Sequence, residues 1–243
     1  MGQLVMYRPQ HIASAKALLE AHALPTAAFA DTPSRRDVSR YDISEKVFSA
    51  PPHANSVAVR VVGACTLDGH RLSTPGASYL VLTDQAAAQV RCERLLWVEN
   101  LDPFRQLHQY PWIDWGGRAV LVIFRGDNRF NPGVAKSVLA HRSEPVWAFV
   151  DFDPSGLLIA SAIDAQRLAR LVLPDAHWLA QACNTSYGRE QFERQVGTCQ
   201  KALDACMHPA ISSHWNLMQS LRSAVTQEKM ATYVQGQGAP SLP

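Results

Sequence analysis

Three short apolar runs, each ending in polar residues and each followed by a helical stretch, constrain this chain more than any other feature. Leu95 to Val98 ends at Glu99-Asn100, Arg118 to Phe124 ends at Arg125-Gly126-Asp127, and Val146 to Val150 ends at Asp151-Phe152-Asp153. Apolar runs without alternation are strands buried on both faces, and such strands alternating with helices make a parallel sheet covered by helices. The intervening pattern predicts helices over Pro103 to Gln109, Pro132 to His141 and Leu157 to Leu171. Pro132 suits a first helical turn.

The chain on either side reads differently. His11 to Ala23 carries Ile12, Ala15, Leu18 and Leu19 on one stripe and stops at Pro25. Asp31 to Ser34 is a turn-rich break, Arg36 to Phe48 predicts a second helix, and Pro51-Pro52 ends it. Ser56 to Gly63 alternates through Val57, Val59 and Val61, Leu67-Asp68-Gly69 is a turn, and Ala77 to Thr83 is another strand. Helices followed by a small ribbon match a winged-helix module and equally any small α+β domain. Beyond the α/β region, Gly188 to Met207 and Pro209 to Tyr233 read as helices, with a frayed end from Gly236.

Composition narrows the function class. With 23 basic and 21 acidic side chains, the formal charge is +2, which excludes binding nucleic acid by bulk charge alone. It leaves room for a local basic groove. Five cysteines without a CxxC pair point to reduced, ordinary thiols. No apolar run reaches membrane-spanning length and no basic-then-apolar leader opens the chain, so a soluble cytoplasmic protein is expected.

Ligands of open parallel sheets bind beyond the carboxyl ends of the strands, which is where Glu99, Asp151 and Asp153 fall. Asp151 and Asp153 are two apart, so in extended chain they point the same way. Such a cluster is costly unless a cation neutralises it, and oxygen ligands favour magnesium. Zinc-ligand spacing is absent. The blander reading of Asp153-Pro154-Ser155-Gly156 is a turn into a helix. Arg125, Asn128 and Arg129 lie in the loop after the second strand, and Lys136 in the helix that follows. They suit phosphate contacts or a solvated surface. Trp112 and Trp115 flank a loop and suit either the core or stacking on a base or partner. Gln227-Glu228 reads as a solvated helix face.

Leu96-Trp97-Val98-Glu99-Asn100, then Phe104, Phe124-Arg125-Gly126 and Val150-Asp151-Phe152-Asp153-Pro154-Ser155-Gly156 together resemble a Toprim domain. The similarity covers roughly residues 93 to 170. It is nearest in flavour to the JetD/MksG nuclease subunits of Wadjet systems, which are related to type IIB topoisomerase A subunits, and Gln227-Glu228 resembles a Gln-Glu near the end of JetD-like chains. The resemblance implies an α/β Toprim domain at 89–185, preceded by a winged-helix-like domain at 1–88 and followed by a helical extension at 186–243. It implies that Glu99, Asp151 and Asp153 form a catalytic site for Mg2+ or Mn2+. It also implies DNA as substrate, an SMC-like ATPase complex as partner, homodimerisation, and a role in defence against plasmid or foreign DNA. Two other functions stay open. One is a topoisomerase-like subunit with a tyrosine nucleophile, for which Tyr7, Tyr41 and Tyr79 are available without a matching motif. The other is a non-catalytic DNA or SMC-complex adaptor.

Overall fold

The computed structural model describes residues 6–27, 35–39 and 54–235. The chain divides into two units, Met1–Ala54 and Asn55–Pro243. In the first, α1 spans Pro9–Ala21, with Pro9 in its first turn, and α2 spans Arg35–Val38. The apolar stripe of α1 is not a core face: Ile12 and Leu18 are 60% and 63% exposed. The rest of the helix expected over residues 36–48, with Tyr41 in it, lies outside the described residues, as does the frayed end from Gly236.

The second unit is built on a six-stranded sheet. Its strands are β1 (Ser56–Val62), β4 (Leu80–Thr83), β5 (Arg94–Val98), β6 (Val120–Phe124), β7 (Val146–Phe149) and β8 (Leu168–Leu171), in the order β4-β1-β6-β5-β7-β8. β6, β5, β7 and β8 are mutually parallel, and β1 is antiparallel to both its neighbours. A separate hairpin joins β2 (Thr66–Leu67) to β3 (His70–Arg71), turning at Asp68 and Gly69 with φ of 50° and 80°.

The ribbon assigned to a winged helix is therefore corrected. β1 and β4 belong to the same sheet as the later strands, so a boundary at residue 88 would cut through it. The reason is that β1 is buried on both faces. Val57 and Val59 on one face and Ala58 on the other are 1% exposed or less, and the Arg60 guanidinium folds back onto the Arg105 carbonyl. Such a strand needs a partner on each side. Two helices also end earlier than expected. The one after β7, α6, covers only Pro154–Ser161. Asp164 then turns the chain by accepting the Gln166 N–H at 2.9 Å, and β8 follows. The last long helix, α9 (Pro209–Leu221), stops at Arg222 in the left-handed conformation, φ 47°. An extended strap follows, leading into α10 (Gln227–Met230).

β5 lies at the centre of the parallel strands, and Leu95, Leu96 and Val98 are fully buried. Trp97 and Ala148 are register partners on one face, and Phe149 points to the other. There Phe149 meets Tyr110 and Trp112 edge-on at 5.1 and 6.0 Å. Trp112 is thus a core residue and donates its indole N–H to the Met230 carbonyl at 3.0 Å. The remaining helices are α3 (Asp84–Gln89), α4 (Leu101–Arg105), α5 (Pro132–Ala140), α7 (Ala176–Ala182) and α8 (Ser186–Asp204). All five cysteines are free thiols, as expected. Among the described residues no helix is long and apolar enough to cross a membrane.

Arg142 ties two layers together. Its guanidinium donates to the Ala87, Ala88 and Val90 carbonyls at 2.8, 3.1 and 2.6 Å and pairs with Glu144. Removing it strands three carbonyls at the end of α3. Arg142→Ala is expected to cost about 3 kcal/mol in urea unfolding. A loss below about 1 kcal/mol would show that water replaces the guanidinium.

Candidate active site at the carboxyl edge of the sheet

Three adjacent parallel strands end side by side, and each delivers one charged residue. β5 delivers Glu99, β7 on one side delivers Asp151, and β6 on the other delivers Arg125. The β5–β7 ladder closes with the Glu99 N–H on the Phe149 carbonyl at 3.1 Å. Beyond it the Asp151 N–H donates to Glu99 Oε2 at 3.1 Å, so the two carboxylate-bearing residues are joined directly. Asn100 Nδ2 donates to both oxygens of Asp151 at 3.1 Å, and the Gln227 N–H donates to Oδ1 at 2.6 Å.

Asp153 takes a different part. Its Oδ1 caps α6 by accepting the Gly156 N–H at 2.6 Å, and its Oδ2 accepts from Gln195 Nε2 on α8 at 2.8 Å. The turn-and-cap role describes this side chain as it stands. Both its oxygens are engaged by groups other than Glu99 and Asp151.

The loop after β6 turns at Gly126, where φ is +103° and a Cβ would sit 2.5 Å from the Phe130 carbonyl oxygen. Only glycine fits there. Asp127 Oδ1 then accepts the N–H groups of Arg129 and Phe130 at 2.7 and 3.0 Å. Asn128 and Arg129 are exposed at the tip, and Lys136 is exposed on α5. Arg125 is half-buried, and its Nε is buried without an acceptor. Together with Trp97, Lys136, Ile159, Asp164 and Arg167 it lines a cleft of about 560 Å³ between α5 and α6. A larger cleft, about 1040 Å³ beside α7 and the start of α8, is lined by none of Glu99, Arg125, Asp151 and Asp153. Of the tyrosines, Tyr79 packs among Phe104 and Phe130, and Tyr7 is exposed.

Burial dominates the electrostatics. Desolvation, reinforced by the Asp151 charge, pushes the Glu99 carboxyl up to about 8, although the Asp151 N–H and Arg125 pull the other way. Desolvation likewise raises Asp151 to about 7, with the Asp153 and Glu228 charges adding to it and the Gln227 N–H and Asn100 opposing it. Two carboxyl groups held in this state are relieved by a cation. Glu99 and Asp151 fit a hard divalent ion that completes its shell with water or phosphate. Among the described residues, no three His, Cys, Asp or Glu side chains converge into a ready-made metal cage.

These shifts give a pH prediction. Both folded-state values lie above those of an unfolded chain, so the folded protein holds extra protons. The stabilisation from this pair is complete below about pH 4 and is lost as pH rises through about 7 and 8. Without divalent ions, unfolding free energy is therefore expected to fall between pH 5.5 and 8.5, and Mn2+ is expected to restore it at the upper end. A flat profile in chelator would show that neither group is desolvated in solution.

The sequence reading favoured a solvated face for Gln227 and did not single out Gln195. Gln227 is fully buried rather than solvated, and it bridges the Asn100 N–H and the Phe149 carbonyl at 3.0 and 3.1 Å. The Gln195 amide, on α8, fixes Asp153. The available signal was weak: a Thr226 cap after Ala224-Val225, inside a stretch that otherwise reads as continuous helix.

A mostly parallel α/β sheet with paired carboxyl groups at its carboxyl edge defines the class of fold and site. A family model described as a domain of unknown function, DUF7281, matches residues 54–234, and the chain belongs to that family. The match spans the whole sheet and the strap carrying Gln227. No curated protein matches the chain.

Proposed function

We propose that this chain is a divalent-cation-dependent DNA endonuclease on a Toprim-type sheet. The observation that carries the reading is the junction of Glu99 and Asp151. Two desolvated carboxyl groups meet at adjacent parallel strand ends through the Asp151 N–H. Magnesium or manganese bound there would supply an activated water and neutralise charge on a phosphodiester. Glu99, with its carboxyl raised towards neutrality, can hold or release a proton beside the reacting oxygens. Arg125 Nε lacks an acceptor, which suits a phosphate oxygen. Lys136 and Arg167 extend positive charge along the α5–α6 cleft, and Asn128 and Arg129 reach outward towards a duplex backbone. Asp153 sets α6 in place and adds to the local negative potential.

A formal charge of +2 gives a weak intrinsic grip on DNA. That suits an enzyme to which an SMC-like ATPase complex delivers bent or looped DNA, in defence against plasmids. The test is cleavage of supercoiled plasmid with Mg2+ or Mn2+, beside Glu99→Ala and Asp151→Ala. Metal-dependent nicking lost in both variants supports the reading. Equal cleavage by all three proteins, or none from the wild type even with its partner complex, overturns it.

A further inference from the structure

Gln227 is the most deeply buried polar side chain in the second unit, yet it stands 76 residues from Asp151 and 127 from Asn100. Its position follows from how the two acid-bearing strands end. β5 and β7 are parallel partners up to Val98 and Phe149, and the Glu99 N–H makes the last rung. Past that point no backbone rung joins them. The Glu99 carboxylate takes the Asp151 N–H, and the Gln227 amide takes the other two groups. Its Oε1 accepts from Asn100 and its Nε2 donates to Phe149, as an inserted peptide group would. The Phe149 carbonyl thereby uses both lone pairs.

The chemistry requires an amide. The position needs one acceptor and one donor at once, and glutamine carries both without charge at any pH, whereas a carboxyl of this length does so only while protonated. An ionised glutamate would lose the donor and add a negative charge beside Asp151.

The strap carrying Gln227 is fastened on both sides. Phe152 and Val225 exchange two backbone hydrogen bonds at 2.8 and 2.9 Å. Lys229 Nζ donates to the Ala182 carbonyl at 2.7 Å, and Trp112 holds the Met230 carbonyl. Only Gln227 touches the residues that carry the site.

We propose that Gln227 is a positioning residue: its amide sets the separation of the strand ends that bear Glu99 and Asp151, making the C-terminal strap part of the site. The consequence for cation binding rests on the function proposed above. The consequence for the strand ends does not.

The experiment compares the full chain with Gln227→Met, which keeps side-chain volume and removes the amide. Lys229→Met serves as the control, because it removes the strap's hydrogen bond to the Ala182 carbonyl and leaves the Gln227 amide in place. Amide hydrogen exchange at Asp151, read by NMR in chelator, reports the Glu99–Asp151 junction, which Gln227→Met leaves chemically intact. Calorimetry with Mn2+ alone reports the site. Gln227→Met is expected to speed exchange at Asp151 about tenfold or more and to weaken Mn2+ by about 10- to 100-fold. Lys229→Met is expected to lower the melting temperature and leave both readings near wild type. Unchanged Asp151 exchange in Gln227→Met overturns the proposal. So does an equal effect from Lys229→Met, which would make the strap's role purely structural. If the wild type shows no Asp151-dependent Mn2+ binding, the cation reading falls, and the exchange result still decides the role of Gln227.

Discussion

On the function proposed above, Glu99→Gln should lower metal-dependent plasmid cleavage by about 1000-fold or more, and on the buried carboxyl alone it should raise the metal-free melting temperature at pH 8. A thousandfold loss corresponds to about 4 kcal/mol of transition-state stabilisation, in the range expected when a cation loses one of two charged ligands. The stability gain has a separate origin. Glu99 is 8% exposed and its carboxyl sits near 8 because burial and the Asp151 charge both oppose ionisation. Glutamine keeps an oxygen to accept the Asp151 N–H and removes that opposition. The same substitution should flatten the pH dependence of stability. Opposite movement of activity and stability is the mark of a site under functional strain. Activity above a tenth of wild type, or a melting temperature lowered at every pH, would sink this account of Glu99.

Gly156→Ala should be among the most damaging single-methyl additions in the chain, at roughly 2–4 kcal/mol. Gly156 lies in the first turn of α6, and a Cβ there would stand 2.3 Å from the Asp151 carbonyl oxygen and 3.1 Å from the Asp151 nitrogen. The obstruction is backbone, so no side chain can swing aside. Relief requires moving α6 off the acid loop, which breaks the Asp153 cap on Gly156. Gly197→Ala makes the useful contrast. That glycine is in α8 with nothing within 4 Å of its Cβ, so alanine there should stabilise by up to about 1 kcal/mol. Urea unfolding of the two variants should move in opposite directions. Similar effects from both would mean that α6 and the acid loop separate easily.

The outline of the sheet and three members of the candidate site are legible in the sequence for a definite reason. A buried strand must be apolar throughout, so the first polar residue after such a run marks where the strand leaves the core. In parallel strands these exits share one edge, which puts Glu99, Arg125 and Asp151 together without any three-dimensional information.

What the sequence leaves open depends on pairing across space. The alternation of β1 is the same in an exposed ribbon and in the interior strand it forms between β4 and β6. The four residues of β8 are too short to interrupt a helical pattern, and a turn started by Asp164 carries no glycine or proline to announce it. Asp153 caps α6 within its own turn, but its second partner, Gln195, arrives from α8 and no local pattern announces it. Gln227 shows the limit most sharply. Its neighbours give it the periodicity of an exposed helix, and only the left-handed turn at Arg222 and the Phe152–Val225 pairing carry it back to the strand ends. Periodicity along the chain therefore determined which residues are buried in strands and where each strand ends. Tertiary structure alone decided which strands pair and which distant groups hold the carboxylates, because the partners that reach Asp151 and Asp153 from other elements stand 42 to 76 residues away.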